Sequence, residues 1–197
     1  MPQPSILVFA GSVRAGALSG RVADNAARVL ALAGAAVTRL SLDDYPLPIM
    51  DEDLEAEKGI PENALRLARQ IGAHDGVFIV TPEYNASLPP LLKNVIDWVS
   101  RVSRDGTRPL KPYPGRPFAI ASSSSGPFAG IRAINHLRAV LIHVGGEVVS
   151  PQCSVANAGD AFDETGEFRD PRSRAVMGQV CEALIERARQ FARARGE

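Results

Sequence analysis

Glu83, Tyr84 and Asn85 stand side by side at the exit of an apolar run, and they offer an anion, a planar ring and an amide. The run from Val77 to Val80 reads as a buried strand. Thr81-Pro82 ends it, because proline fixes its own φ and pushes the residue before it toward extended geometry. Further on, Leu92, Val95, Ile96 and Val99 recur at i, i+3, i+4 and i+7, the spacing of one helix face. The trio therefore lies in a loop between a strand and a helix. In an open α/β sheet such a loop sits at the carboxyl end of a strand, where ligands bind.

Two other stretches carry comparable chemistry. Gly11-Ser-Val-Arg-Ala-Gly16 follows the apolar run Ser5 to Ala10 and leads into a helix expected to start near Ser19, with that serine as its N-cap. Backbone N–H groups and the helix dipole favour an anion such as phosphate there, Ser12 and Ser19 add hydroxyls, and Arg14 adds a charged fork. Ala17-Leu18 replaces the Lys-[Ser/Thr] of a Walker A loop, and no GxGxxG fingerprint is present. A tight strand-to-helix turn would use the same small residues, so this loop alone leaves both readings open. The third stretch, Ser122-Ser-Ser-Ser-Gly-Pro-Phe-Ala-Gly130, is small enough to let a planar group approach closely and equally suits a flexible linker.

Other candidates carry less. His74, His136 and His143 fall at or inside helices without metal-like spacing and read as structural or surface residues. Asp51, Glu52 and Asp53 read as an exposed acidic turn rather than a cation site. GxSxG is absent, and no catalytic acid, base or metal ligand is assigned. Trp98 lies beside the inward stripe of its helix, which fits core or subunit contact better than ligand stacking. Cys153 and Cys181, the only cysteines, form no CxxC pair and read as packing residues.

The elements that must position these loops follow from periodicity. Strands are expected over 5–10, 36–42, 76–81, 117–122 and 147–150. Helices are expected over about 19–33, 61–72, 89–102, 128–144 and 171–194. Residues 43–59, 103–115 and 153–170 read as mostly irregular connections. Five strands alternating with five helices predict a parallel sheet covered on both faces. The flavodoxin-like order 2-1-3-4-5 places the switch point between the first and third strands, where the loops at 11–18 and 82–88 meet with the 122–130 loop beside them.

At 197 residues the chain suits one domain spanning 1–197. Lys+Arg and Asp+Glu both number 22, a balance that argues against a general nucleic-acid binder. The N-terminus lacks a basic, then apolar, signal pattern, and no apolar run approaches a membrane span, so a cytoplasmic protein with no membrane or nucleic-acid partner is expected.

Gly11-Ser-Val-Arg14, Thr81-Pro-Glu-Tyr-Asn-Ala-Ser87 and Leu92-Lys-Asn-Val-Ile-Asp-Trp98 together resemble the NADPH-dependent FMN reductase family, which includes bacterial quinone and chromate reductases. The resemblance runs from Ile6 to about Val149, and Ser124 to Arg132 looks like the family's third flavin-side loop. It implies FMN as cofactor, with Ser12, Arg14 and Ser19 around the phosphate. Pro82, Glu83, Tyr84 and Asn85 would lie along the ribityl chain and ring, and Ser124 and its neighbours would close the site. The family usually has serine where Ala17 stands and asparagine where Ser19 stands; backbone donors and Arg14 remain. The implied activity is hydride transfer from NADPH or NADH to flavin, then passage of electrons to a second small molecule, free flavin or a quinone, by ping-pong. A quinone, azo or chromate reductase that keeps its FMN would use the same residues, and a non-enzymatic flavodoxin-like electron carrier is the reading outside enzymology. The resemblance also implies a homodimer or homotetramer, with the helix of Asp97 and Trp98 near an interface.

Overall fold

The apolar runs of the sequence become the strands of one sheet in the computed structural model, which describes residues 3–196. In chain order the elements are β1 (Ser5–Ala10), α1 (Leu18–Leu32), β2 (Ala36–Leu40), α2 (Glu52–Lys58), α3 (Glu62–Ala73), β3 (Gly76–Pro82) and α4 (Pro90–Arg101). A small antiparallel pair follows, β4 (Arg104–Asp105) with β5 (Arg108–Pro109). Then come β6 (Pro117–Ser123), α5 (Ile131–His143), β7 (Glu147–Val148), β8 (Cys153–Val155) and α6 (Pro171–Ala194).

The main sheet is parallel in the order β2-β1-β3-β6-β7, with β8 paired farther along β6. Counted by position this is 2-1-3-4-5, the flavodoxin-like doubly wound order expected from the sequence. The side-chain period of two splits each strand between two cores. Ile6, Val8, Phe78 and Val80 pack with α1 and α6 on one face. Leu7, Phe9, Val77 and Ile79 pack with α3, α4 and α5 on the other. Burial on both faces is why these strands read as continuous apolar runs rather than alternating ones.

The register fixes where the loops emerge. Ala10 pairs with Val80, Thr81 with Ser122, and Pro82 with Ser123. The carboxyl ends of β1, β3 and β6 are thus level, and their three loops rise from one edge. Gly11 is held there by its N–H, which donates to the Val80 carbonyl at 2.8 Å. A Cβ at Gly11 would come within 2.9 Å of the Leu92 side chain, so glycine is what lets α4 pack under this loop.

Several local expectations change. The fifth strand position is filled by two short segments, β7 and β8, so residues 153–155 are strand rather than loop. The 43–59 connection contains a 3-10 turn over Leu42–Asp44 and the helix α2, capped by Asp51, whose carboxylate accepts from Leu54 N at 2.9 Å. The acidic run 51–53 is therefore a helix start. Trp98 is fully buried and donates Nε1–H to the Pro48 carbonyl at 2.8 Å. It is a core residue that pins the 46–50 segment onto α4. His74 is structural, bonded to the Gln70 carbonyl and the Thr38 hydroxyl. Both cysteines are buried, and desolvation raises their thiol pKa values, Cys153 to about 12.

Candidate functional site

The three loops border a cleft of about 160 Å³ at the carboxyl edge, smaller than a typical ligand pocket. Its walls are Ser12, Arg14, Ala17, Leu18 and Ser19 from the first loop, Pro82, Glu83 and Tyr84 from the second, and Ser123, Ser124 and Ser125 from the third. Seven of the eight residues singled out from the sequence thus share one cleft. The eighth, Asn85, is not part of the wall; it lies in the adjoining turn.

The first loop ends in the start of α1. Ala17, not Ser19, is the N-cap residue, and no side chain caps this end. The N–H groups of Leu18, Ser19 and Gly20 have no hydrogen-bond partner among the described residues, and the first turn carries no acidic residue. Such a helix start draws an anion through its free donors and its dipole. Ser19 instead sits one position inside the helix, with its hydroxyl buried and unpaired. Arg14 is exposed, and its guanidinium lies on its own loop, donating to the Ala15 carbonyl at 3.3 Å.

The second loop is a tight reversal. Tyr84 N donates to Ser87 O at 2.9 Å and Ser87 N to Tyr84 O at 3.0 Å, enclosing Asn85 and Ala86. Both enclosed residues have positive φ, 48° and 67°. Asparagine tolerates that region, whereas for alanine it is strained. The strain persists because the loop is tied down twice to α5. Ser87 Oγ is 3.0 Å from His136 Nδ1. The Glu83 carboxylate accepts from Arg132 N at 3.1 Å, from Ala133 N at 3.3 Å and from the Arg132 guanidinium.

Glu83 is therefore the anion at the start of α5. Burial disfavours its charge, but the Arg132 guanidinium and the Ala133 and Arg132 N–H groups outweigh it and hold the carboxyl below the usual carboxylate range. Its oxygens are committed to α5, and the residue borders the cleft. Tyr84 is half exposed and borders the cleft.

The third loop is ordered by its own hydrogen bonds and is no linker. Ser122 Oγ donates to the Ala129 carbonyl at 2.8 Å, Gly126 N donates to Ser124 Oγ at 3.1 Å, and Ala158 N donates to Ser124 O at 3.0 Å. Gly130, at φ 75°, makes the turn into α5, and a Cβ there would come within 2.9 Å of Ser122. Ser123, expected only as a neighbour of Ser124, has a buried hydroxyl with no partner among the described residues. Its position in the run of four serines was the only available signal. Two buried hydroxyls without a partner among the described residues, those of Ser19 and Ser123, belong to residues of this one cleft wall, and burying a polar group unsatisfied costs about 1–3 kcal/mol. With the free N–H groups of α1 and Arg14 beside them, the cleft suits an anionic, hydrogen-bonding ligand.

Comparison with known proteins agrees with this chemistry. Residues 4–160 match the family model of NADPH-dependent FMN reductases. A quinone reductase of Escherichia coli K12 is 40% identical over 146 residues, covering 74% of this chain and 73% of that protein. An NAD(P)H-dependent FMN reductase of Pseudomonas aeruginosa is 33% identical over 180 residues, covering 91% and 92%. Among solved structures, the flavoenzyme NAD(P)H:(acceptor) oxidoreductase FerB of Paracoccus denitrificans superposes with a TM-score of 0.78 at 27% identity, over 95% of this chain and 98% of that one.

Proposed function

The chain belongs to the NADPH-dependent FMN reductase family and is an FMN-dependent NAD(P)H oxidoreductase, and on that premise we propose that the three-loop cleft holds its FMN and that a quinone is its electron acceptor. The observation that carries the placement is the pair of unpaired buried hydroxyls, Ser19 and Ser123, beside the uncapped start of α1. When bound, FMN supplies the two-electron chemistry. The chain's own residues bind, orient and cover.

In this reading the N–H groups of Leu18, Ser19 and Gly20 hold the phosphate, with Ser12 and the Ser19 hydroxyl. Arg14 swings from its loop carbonyls onto the same group. Ser123 and Ser124 bond the polyol. Pro82 and Tyr84 border the planar ring. Glu83 acts at one remove: it fixes the 82–87 loop to α5 and so sets where Tyr84 stands. Asn85 and Ala86 shape that loop through their left-handed turn. No side chain is assigned as acid or base.

The quinone acceptor is supported by the name of the Escherichia coli relative. NAD(P)H and acceptor alternate over the same open mouth, which gives ping-pong kinetics. No helix among the described residues is long and apolar enough to cross a membrane; we read the protein as one cytoplasmic unit of 197 residues that works as a homodimer or homotetramer. The test is an acceptor panel with purified protein, scored with NADPH and with NADH. Quinone turnover with retained FMN and parallel double-reciprocal plots are expected. Release of reduced free flavin in place of quinone turnover would overturn the acceptor, and a protein that takes up no FMN would overturn the site.

A further inference from the structure

NAD(P)H is a dinucleotide, and the three-loop cleft, at about 160 Å³, is already small for one ligand. When the nicotinamide end reacts there, the adenosine end must lie in another seat. Of the other cavities, one is lined by Val102 and Val144, at the carboxyl-terminal ends of α4 and α5. Those helices run back from the carboxyl edge, so this cavity belongs to the opposite edge of the sheet. A second adjoins the first loop through Ser12. Its one arginine, Arg39, is paired with Asp24 at 2.9 Å, and Asp44 adds another carboxylate, a lining that repels a pyrophosphate.

A third cavity, of about 290 Å³, lies between α1 and the segment 159–166 that leads toward α6. Arg21, Asn25 and Arg28 share one face of α1, at i, i+4 and i+7, and each donates to a carbonyl of that segment. Arg21 bonds Gly159 O at 3.1 Å, Asn25 Nδ2 bonds Gly166 O at 2.9 Å, and Arg28 bonds Thr165 O at 3.2 Å. This grip leaves two groups unmatched. Asn25 is 6% exposed, and its Oδ1 is buried with no partner among the described residues. Its amide head lies against Gly166, which lines the same cavity, so the spare oxygen belongs to that seam. Arg21, held over the Phe162 ring at 5.1 Å, has no carboxylate partner among the described residues, whereas Arg28 is neutralised by Glu167 at 2.9 Å. The cavity therefore lacks one hydrogen-bond donor and one anion. An adenine nucleotide supplies both, through its exocyclic amine and its phosphates.

The position fits as well. Leu18 and Ser19 of α1 wall the flavin cleft, and Asn25 lies about 9 Å farther along the same helix. The 157–159 segment runs between the two places: Asn157 N donates to Gly126 O and Ala158 N to Ser124 O in the third loop, while Gly159 O accepts from Arg21. We propose that the cavity between α1 and the 159–166 segment seats the adenosine end of NAD(P)H, with Arg21 on its phosphates and Asn25 Oδ1 accepting from its adenine amine. This rests on the reading of the three-loop cleft as the flavin site only for the direction in which the dinucleotide lies.

The test uses FMN-saturated enzyme with menadione as acceptor and two hydride donors, NADPH and 1-benzyl-1,4-dihydronicotinamide, which has no adenosine. The readout is the ratio of the two donors' kcat/KM values, with FMN affinity and calorimetric binding of ADP-ribose measured on every variant. ADP-ribose is expected to bind the wild-type enzyme and to compete with NADPH. Arg21→Gln keeps an N–H for Gly159 O but removes the charge; it should lower the ratio about 10-fold and weaken ADP-ribose by a similar factor, as loss of a charge-assisted bond does. Asn25→Leu, which removes the spare acceptor, should lower the ratio about 5-fold. A ratio within twofold of wild type in Arg21→Gln, or ADP-ribose that fails to bind the wild-type enzyme, overturns the proposal and leaves the flavin site standing. Equal loss with both donors and weaker FMN also overturns it, making Arg21 a strut of the 157–159 segment. If wild-type protein takes up no FMN but still binds ADP-ribose, and Arg21→Gln loses that binding, the flavin reading falls and the adenosine seat stands.

Discussion

Helices α1 and α5 both begin at the carboxyl edge of the sheet, and they meet the problem of their first N–H groups in opposite ways. At α5 the protein solves it internally. Ile131 N donates to Phe128 O, Ile134 N to Gly130 O, and Arg132 N and Ala133 N to the Glu83 carboxylate. At α1 the N-cap residue is Ala17, whose side chain offers no oxygen, and Leu18 and Ser19 of the first turn border the cleft. The same physical device, a helix start that favours negative charge, serves structure in one place and ligand in the other. The difference comes down to whether the fold brings its own anion.

That contrast can be broken most directly by giving α1 an anion. Ala17→Asp places a capping carboxylate where α5 has Glu83. Apo protein should gain about 0.5–2 kcal/mol, as an Ala-to-Asp N-cap change does. FMN should lose about 4 kcal/mol of affinity, the repulsion of unit charges near 4 Å at an effective dielectric of 20. Thermal melts and flavin-fluorescence titrations should therefore move in opposite directions. FMN affinity that stays within threefold would show that α1 does not hold the phosphate.

Arg14→Ala tests the side-chain part of the same anion site. Removal of a charge-assisted bond should weaken FMN by about 1.5–3 kcal/mol. Affinity equal to wild type would assign Arg14 to its bonds with the Ala15 and Gly16 carbonyls alone.

Glu83→Gln weakens the internal anion of α5 and should cost about 1–2 kcal/mol of stability, in the range of a lost cap. Its pH dependence has a fixed sign. The Glu83 carboxyl lies below its ordinary value in the folded protein, so its stabilisation is full above the unfolded carboxylate pKa. It fades as pH falls through the lower folded value. The melting-temperature gap between wild type and Glu83→Gln should hold at neutral pH and close in acid. A gap that widens in acid contradicts the clamp.

Ser123→Ala sharpens the cleft side with the smallest effect, about 0.5–1.5 kcal/mol in FMN affinity. Its hydroxyl is unpaired in the fold, so apo stability should stay level or rise. A melting temperature that falls by several degrees would mean that the hydroxyl already has a structural partner.

Parts of this were readable from residues alone. The strands were, because burial on both faces leaves apolar runs such as Ile6 to Phe9 and Val77 to Val80 with no polar interruption. Helix α2 was not, because it buries no residue and so shows no apolar stripe. β8 escaped because three residues, Cys153 to Val155, are too short for a period to show. Ser19 misled for a physical reason as well. A serine near a helix start suits an N-cap, but the helix begins one residue earlier and turns that hydroxyl inward.

By itself, the sequence determined the alternation of strand and helix, the flavodoxin-like order and the three loops that must share one edge. Those follow from periodicity and local breakers, which act over a few residues. Only the tertiary structure decided that Glu83 belongs to α5 and that Ser19 and Ser123 are left with spare hydroxyls. Glu83 and Arg132 are 49 residues apart, and no local pattern encodes which carboxylate will meet which helix end. That choice is made when β3 and β6 pair in register and bring the two loops to the same level.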